Sequence, residues 1–245
     1  MLNAGKNYLL KIKEIRMTKT KNTCDLNTCF LCRFCLRDWK PVIDLHKKNI
    51  SLKRGQQVFR EGEQVQGIFF VYSGKVKVHK KWDDEKELIV RFAHQGDILG
   101  HLGIGGSGYY PVSATVIEEA VLCYIELSFF ETTMNVNNNF VIQLMRFFAA
   151  ELQESERRMR NLAHMSVKGR VAQALLSLQD QFGKNKNGFI AIELSRQDLA
   201  SYTGSSYESL FRTINELLTE NVIVISGKTI AIKNEDTFRE LVAGY

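Results

Sequence analysis

Cysteines are the residues of this sequence whose type and spacing most directly suggest chemistry. Four of the five lie within twelve residues, in the stretch CDLNTCFLCRFC at 24–35, and the fifth is Cys123. Thiolates two or three residues apart can bind one metal centre, such as an iron–sulfur cluster, because a turn brings both sulfurs to one side. The same spacing suits a tetrahedral zinc site with four thiolates. We therefore expect a metal site, with a disulfide staple and a chance grouping as alternatives.

The expected cellular location bears on the disulfide alternative. No apolar run reaches the roughly 18 residues that a membrane helix needs. The first residues, MLNAGKNYLLKIKEIRM, lack the continuous apolar block and the small cleavage-site residues of a secretory signal. The sequence thus predicts a cytoplasmic protein without a membrane partner. Because that compartment is reducing, a disulfide between these cysteines is disfavoured.

Net charge gives no support for nucleic-acid binding. The chain carries a formal charge of +6, and residues 1–40 account for all of it, with nine Lys or Arg against three Asp or Glu. Residues 41–245 are therefore neutral overall. Any prediction of DNA binding must come from the sequence pattern and not from composition.

The elements that could position the cysteines begin with short β-type runs over residues 50–126. Glycines separate these runs, and the segment KVKVH at 75–79 alternates polar with apolar residues as a half-buried strand does. Turns often need a positive φ, which glycine adopts without strain. Several short strands at this spacing predict a sandwich or barrel, with a flexible loop from Gly100 to Gly108.

A helical period replaces the β period from residue 140. Apolar residues then recur at steps of three and four over about three heptads, surrounded by the charges of ELQESERRMR. We predict a dimerisation helix of the coiled-coil type, and a long helix packed on its own domain is the alternative. The residues of the predicted seam are Val141, Leu144, Phe148, Leu152, Met159 and Leu162.

Residues 166–245 combine short helices with a hairpin. VKGRVAQALLSLQDQF predicts a helix and FIAIEL a strand. Ser195, followed three residues later by an aspartate, forms a capping box that begins a second helix, which Gly204 ends. Ser205 or Ser206 can cap a third helix, and VIVISGKTIAI predicts a hairpin with glycine in its turn. Two short helices about a glycine turn, followed by a hairpin, are typical of a winged helix-turn-helix.

Motifs in this order resemble those of Crp/Fnr transcriptional regulators, a bacterial family, over about residues 40–245. They are KRGQQVFREGE with YSGKVKV, GDILGHLG followed by VSATV, NLAHMSVKGRVAQALLSL, and LSRQDLASYTGSSYESLFRTINELL. The resemblance implies an α+β chain with a cyclic-nucleotide-binding-type β-roll (a double-stranded β-helix or jelly roll), a long dimerisation helix and a C-terminal winged helix-turn-helix. The predicted segments are 1–40 for the cysteines, 41–130 for the β-roll sensor, 131–165 for the dimerisation helix and 166–245 for DNA binding.

For DNA recognition, the resemblance assigns base reading to the second helix of the helix-turn-helix. Glu208 and Arg212 share a helix face, from which a carboxylate can accept from cytosine and a guanidinium can bind guanine. A solvated ion pair is the alternative role for these two. The residues implied in DNA contact, including those that hold phosphate, are Ser195, Arg196, Gln197, Ser206, Tyr207, Glu208, Ser209 and Arg212. Tyr207 and Phe211 depart from the basic and small residues of better-known members, which leaves the outer bases of the site open.

The sensor pocket departs from the cyclic-nucleotide-binding branch of the family. That branch has a glutamate where this chain has His101, and an arginine–serine pair where it has Val112 and Ser113. Glu154 stands where that branch contacts the base with a hydroxyl. Because no evident cation neutralises a cyclic phosphate, we expect no cyclic AMP binding. His101 and Ser113 are the candidate pocket residues, and a histidine bonded to backbone is the alternative for His101.

The oxygen-sensing branch supplies an expectation for the cysteines. Its members hold a [4Fe–4S] cluster with an N-terminal cysteine group and one cysteine on a barrel strand, and Cys123 in AVLCYIEL matches that strand position. The N-terminal spacing differs, because the familiar pattern is a C-x2-C pair followed by a five-residue gap. The candidate metal ligands are Cys24, Cys29, Cys32, Cys35 and Cys123, and a cubane needs four, which makes Cys24 the predicted spare. Zinc, redox-active thiols or no function are the alternatives.

The resulting prediction is a homodimeric regulator that binds a two-fold symmetric site on double-stranded DNA and responds to oxygen, redox state or nitric oxide. RNA polymerase is an expected partner. An enzyme is not expected, because GIGGSG at 103–108 lacks the lysine of a P-loop and no nucleophile–base set is evident. The alternative is a regulator of the same fold that responds to a small molecule other than cyclic AMP, with the cysteines structural or redox-active.

Overall fold

The computed structural model describes residues 28–83 and 86–243, so Cys24 lies outside the described residues. The chain divides into two compact units. The first comprises Met1–Glu85 with Val90–Ala149, and the second comprises Lys86–Ile89 with Ala150–Tyr245. Within the described ranges, no helix has both the length and the apolar character that crossing a bilayer requires.

The first unit is built on an antiparallel β-roll. The strand order is β1-β6-β3-β4, with β2 paired to β6 and β5 paired to β3. Short 3-10 turns lie at Arg37–Trp39 and His101–Ile104. The helices and strands are α1 Phe30–Phe34, α2 Lys40–His46, β1 Lys48–Leu52, β2 Gln57–Phe59, β3 Gly67–Lys81, β4 Glu87–Ala93, β5 Ile98–Leu99, β6 Ser113–Glu126, α3 Leu127–Val136 and the first part of α4 Asn138–His164.

The long β3–β6 pair follows the predicted strand alternation from Lys75 to Val78, whereas His79 is buried as well and departs from it. Val76 and Val78 are buried, whereas Lys75 and Lys77 are more accessible. At Gly74 the register shifts and φ is +86°, and a Cβ there would lie 2.2 Å from the backbone oxygen of Glu119. Only glycine fits this bend, so the YSGKVKV motif sets the curvature of the roll.

Two apolar clusters form the core of the first unit. One fills the inside of the roll, with aromatic residues such as Phe59, Phe69 and Tyr110. The other lies where the cysteine segment and the helices cover the outside of β3 and β6, and it contains four cysteines together with residues such as Phe130 and Phe140. The described part of the cysteine segment, residues 29–35, is therefore part of a packed core and not an appendage of the roll.

The predicted single helix over 131–165 is two helices, which is a correction to the sequence interpretation. Asn137 adopts φ −128° and ψ 77°, which ends α3 at Val136 and lets α4 begin at Asn138. The side-chain amide of Asn137 donates to the Thr133 oxygen at 2.7 Å, and its backbone oxygen accepts from the Val141 N–H at 3.1 Å. Asn137 thus satisfies backbone groups at both helix ends, which periodicity alone does not predict.

The second unit contains the rest of α4 and the helix-turn-helix. Its further elements are α5 Val167–Phe182, α6 Arg196–Thr203, α7 Tyr207–Thr219, β7 Ile223–Ser226, β8 Thr229–Ile232 and α8 Glu235–Ala243. Ser166 caps α5 by accepting from the Gly169 N–H at 3.1 Å. The predicted helices and the hairpin of this region are confirmed.

The strand predicted for FIAIEL at 189–194 is wrong. Ile190, Ile192 and Leu194 alternate into the core as strand residues would, but only an isolated bridge joins Lys184 to Ile190. The Ile190 N–H donates to the Ile230 oxygen at 2.9 Å without continuing into a ladder. The alternation of apolar residues predicted their burial correctly, but it did not predict hydrogen-bond pairing with a neighbouring strand.

Candidate DNA-reading surface and cysteine site

The helix-turn-helix is fixed by local caps and a glycine turn. The Ser195 hydroxyl accepts from the Asp198 N–H at 2.9 Å at the start of α6, and Ser206 accepts from the Ser209 N–H at 3.2 Å at the start of α7. Gly204 has φ +62° and ends α6 in the left-handed region. A Cβ at Gly204 would lie 2.4 Å from the Leu162 side chain. The serines at the two caps and the glycine at the turn therefore determine the angle between α6 and α7.

Helix α7 has one buried face and one exposed face. Its buried side chains are Leu210, Thr213, Ile214 and Leu217, at the helical spacing of three and four. Glu208 and Arg212 lie on the opposite, exposed face, four residues apart. The two predicted base-reading side chains thus project from one face, as docking in a major groove requires.

Glu208 is held in its ionised form. Its own backbone N–H and the hydroxyl of Ser206 donate to its carboxylate, and these bonds hold the pKa of Glu208 below its ordinary value. An ionised carboxylate only accepts hydrogen bonds. The ionised Glu208 can therefore accept from an amino group such as that of cytosine.

The start of α6 gathers the residues predicted to hold phosphate. Ser195 is the cap, Arg196 is the first helical residue and is half-buried, and Gln197 is exposed. Burial lowers the pKa of the Arg196 guanidinium, although an arginine stays protonated under all ordinary conditions. A helix N-terminus that carries a cation is suited to an anion such as a DNA phosphate.

Phe211 belongs to the exposed face of α7 and is missing from the predicted site. Its ring stacks on that of Tyr207, with centroids 6.5 Å apart and planes 11° apart. The i,i+4 spacing of two aromatic residues beside Glu208 and Arg212 is the sequence signal that could have included it.

The predicted sensor-pocket residues are buried in protein contacts. His101 opens the 3-10 turn and its ring lies 5.1 Å from that of Phe147 and 5.4 Å from that of Phe148. The Ser113 hydroxyl accepts from the Glu61 N–H at 3.0 Å. His101 thus packs against aromatic rings of α4, and Ser113 is bonded to the backbone at Glu61.

Aromatic rings occupy the inside of the roll. Tyr110 stacks on Phe59 with centroids 4.1 Å apart, and its hydroxyl donates to the Gly67 oxygen at 2.7 Å. Burial raises the pKa of Tyr110 to about 12, so this hydroxyl stays a donor. Tyr110 lies close in sequence to Val112, which stands where the nucleotide-binding branch has its arginine. The roll interior is therefore apolar at the point where a cyclic phosphate would need a cation.

Four cysteine thiols meet in one apolar cluster. Cys29 occupies the N-cap position of α1, Cys32 lies within α1, and Cys35 follows its last turn. Cys123 lies on β6, paired in register with Asn49 of β1. None of these four forms a disulfide bond, and all four are buried in the same cluster. Every described member of the predicted ligand set therefore belongs to this one apolar cluster.

Backbone and side-chain hydrogen bonds anchor the cysteine segment on both sides. The Phe30 N–H donates to the Gly96 oxygen at 3.0 Å, next to β5. The Cys35 thiol donates to Asn137 Oδ1 at 3.2 Å, and the Leu36 N–H donates to the same oxygen at 2.8 Å. Burial raises the pKa of Cys35. Asn137 therefore joins the end of the cysteine segment to the junction of α3 and α4.

These thiols do not form a site for a single ion. Among residues 28–83 and 86–243, no three Cys, His, Asp or Glu side chains come together closely enough to hold one metal ion. Zinc with sulfurs about 2.3 Å away would need the sulfurs to approach within about 3.8 Å of each other. A cubane takes each thiolate on a different iron and accepts thiols that stand farther apart. Cysteine sulfur is a donor type of both a [4Fe–4S] group and zinc.

The predicted dimer seam needs correction at Leu144 and Phe148. Leu144 is only 5% exposed and packs in the cysteine-containing cluster. Phe148 packs against the same cluster and contacts His101, and Val141 is half-buried. These residues face their own protomer because the first part of α4 covers the roll. Apolar residues recur with a helical period on both the inner and the outer face of α4. The periodicity therefore assigned residues of both faces to one predicted seam.

The exposed apolar residues of α4 form a different line. Ile142, Met145, Leu152 and Met159 are all exposed, and they follow one another at steps of three, seven and seven residues. This is the spacing of one coiled-coil seam. Leu152 and Met159 of the predicted set lie on it. Leu162 is 39% exposed and its side chain lies against Gly204.

Comparison with known proteins decides the family. The cyclic nucleotide-binding domain model matches residues 49–137, and the Crp-like helix-turn-helix domain model matches residues 169–241. The chain is 31% identical over 179 residues to the cAMP-activated global transcriptional regulator CRP of Salmonella typhimurium, which covers 71% of this chain and 84% of the relative. The chain belongs to the Crp/Fnr family. It is a DNA-binding transcription regulator and not an enzyme.

Other relatives agree with this family and its fold. The transcriptional activator protein FnrA of Stutzerimonas stutzeri is 24% identical over 227 residues, which is 91% of this chain and 92% of the relative. The structure of FixK2 from Bradyrhizobium japonicum superposes with a TM-score of 0.71 at 23% identity, over 80% of this chain and 96% of that one. The predicted fold class, a β-roll followed by a long helix and a helix-turn-helix, is confirmed.

Proposed function

We propose that this Crp/Fnr regulator senses oxygen, redox state or nitric oxide through a cysteine-ligated iron–sulfur cluster. One observation carries the proposal: four thiols from two distant segments are buried in one apolar cluster at the start of the dimerisation helix. Cys29, Cys32, Cys35 and Cys123 would hold the group. When bound, it supplies an oxidation-sensitive centre that links the N-terminal segment to β6.

The chain's own contacts explain how such a site could govern the helix. Asn137 accepts hydrogen bonds from Cys35 and Leu36 and also starts α4. A change at Cys35 therefore alters a bond to the residue that begins α4. Because the outer face of α4 carries Ile142, Met145, Leu152 and Met159, displacement of its first turn would change the alignment of that seam between two protomers.

A homodimer and a two-fold symmetric DNA site are part of this proposal. The exposed seam of α4 would join the two copies, and their α7 helices would enter successive major grooves about one DNA turn apart. RNA polymerase is the proposed partner of the DNA-bound dimer. The regulator would act in the cytoplasm, since that is where a bacterial chromosome lies.

A sensor for a different small molecule is the second candidate. The observation that favours it is the packing of the buried His101 against Phe147 and Phe148, which links the loop that begins at Gly100 to α4. Cyclic AMP is not its proposed ligand, because Val112 and the stacked Tyr110 and Phe59 offer no cation for the phosphate. In this candidate the cysteines are structural zinc ligands or redox thiols.

Purification without air, followed by absorbance and by iron, sulfide and zinc analysis, tests the proposal. We expect brown protein with about four irons and four sulfides per chain, which bleaches in air. Cys123→Ser should abolish the colour. Cys24→Ser is the matched control and should keep it, because the four described cysteines already provide a full ligand set.

Other outcomes separate the alternatives. Colourless protein with one zinc per chain and a silent Cys123→Ser change would reject the cluster and favour the second candidate. Protein without metal whose DNA affinity changes on reversible oxidation would favour redox thiols.

A further inference from the structure

The exposed face of α7 carries an aromatic pair that the base-reading residues do not explain. Tyr207 is 45% exposed and Phe211 is 53% exposed, although both rings are large and apolar. The rings stack with planes 11° apart, and α7 buries the opposite face through residues such as Leu210 and Ile214. The pair is thus not part of the core of its own domain.

Two parallel ridges share the surface of α7. Tyr207 and Phe211 form one i,i+4 row, and Glu208 and Arg212 form the next row, one residue further along the chain. Adjacent i,i+4 rows lie side by side on a helix. Any surface that accepts the charged row must therefore also meet the aromatic row. Because α7 belongs to a Crp-like helix-turn-helix domain, that surface is DNA.

The major groove offers one apolar group to such a row. Thymine presents its 5-methyl there, whereas the other base edges present hydrogen-bond donors and acceptors. A stacked pair of rings suits this methyl, since each ring restricts the other and little rotamer freedom is lost on binding. Lysine or arginine in these positions would instead contact phosphate or guanine.

We propose that Tyr207 and Phe211 read thymine methyl groups next to the base pairs contacted by Glu208 and Arg212 in each half-site. This rests on the DNA-binding role of α7 and does not depend on the sensor. Phe211 is a specificity-determining residue in this view, and Tyr207 supports its ring and contributes its own edge. The half-site should then contain thymines beside the positions that Glu208 and Arg212 select.

The test removes only the methyl group. A high-affinity site is first selected from randomised duplexes, and each thymine of its half-sites is then replaced by uracil in turn. Base pairing and hydrogen-bonding edges stay the same. Affinities come from fluorescence anisotropy at fixed salt. At the contacted position we expect about a fourfold loss when one half-site carries uracil, the value of one buried methyl, and about sixteenfold when both do.

Protein variants complete the cycle. At the position that Phe211 contacts, Phe211→Ala should bind the thymine and uracil duplexes equally, because the ring of Phe211 is the group that meets that methyl. Glu208→Gln is the matched control on the neighbouring row, and it should weaken binding to both duplexes while keeping their ratio. Tyr207→Phe keeps the ring and should therefore keep the ratio of the two affinities, since only the ring is invoked for the methyl contact.

Several outcomes would overturn the inference while leaving DNA binding intact. Uracil substitution without effect at every thymine would reject methyl readout. A changed oligomeric state of Phe211→Ala in sedimentation would make the pair a protein contact. Failure to select any sequence at all would instead count against the DNA-reading role itself.

Discussion

The reading helix and the cysteine site use opposite environments. Glu208 and Arg212 are exposed, and caps at Ser195 and Ser206 within a few residues fix the helices that carry them. The cysteines are buried in an apolar cluster whose members come from α1, β3, β6, α3 and α4. A DNA-reading surface must be free for its partner, whereas an oxidisable centre needs protection from solvent. Damage to the first should alter recognition, and damage to the second should alter folding.

The two faces of α4 give the largest effects and the sharpest contrast. Leu144→Ala should destabilise the protein by about 2–5 kcal/mol, because it leaves a cavity in the cysteine-containing cluster. Leu152→Glu should leave protomer stability nearly unchanged and yield monomers, because it places a charge in the exposed seam. Thermal unfolding measures the first change and sedimentation velocity the second.

The contrast fails if the two variants exchange their behaviour. An intact dimer in Leu152→Glu would place the dimer contact on another face. A stable Leu144→Ala that no longer dimerises would restore the seam that the sequence periodicity predicted.

Local signals were predictable from sequence, and tertiary ones were not. The serine caps of α6 and α7 act through contacts within four residues, so the local sequence prescribes where these two helices begin. The burial of Leu144 depends on which face of α4 covers the roll, and the strand pairing expected at 189–194 depends on neighbours elsewhere in the chain. The clustering of Cys123 with the N-terminal cysteines came only from the family resemblance.

Specificity changes at the reading helix should come next in size. Arg212→Ala should cost about 1–3 kcal/mol at the base that it reads, or roughly 5-fold to 150-fold in affinity, and should relax selection at that position. Arg196→Ala is the comparison, because a phosphate contact lowers affinity for all sequences and reduces the salt slope by about one. Selection from randomised duplexes and salt titrations distinguish the two. Retained specificity in Arg212→Ala would remove α7 from base reading.

The helix caps give the smallest effect and test whether the reading face is prepared locally. Ser206→Ala removes the acceptor for the Ser209 N–H and should destabilise the second unit by about 0.5–2 kcal/mol. Ser166→Ala is the matched control, since Ser166 caps α5 in the same way at 3.1 Å from the Gly169 N–H. Thermal melts of the two variants should shift alike.

Only Ser206→Ala should also change the carboxylate of Glu208. The backbone N–H of Glu208 lowers its pKa first, and the Ser206 hydroxyl lowers it further. Loss of the hydroxyl should therefore move that pKa upward, toward its ordinary value, when the carboxyl is titrated by NMR. Because the folded-state pKa is depressed, the stability that this bond contributes is present above the ordinary pKa and is lost as pH falls through the depressed one. An unchanged Glu208 titration in Ser206→Ala would mean that α7 presents its carboxylate without help from its cap.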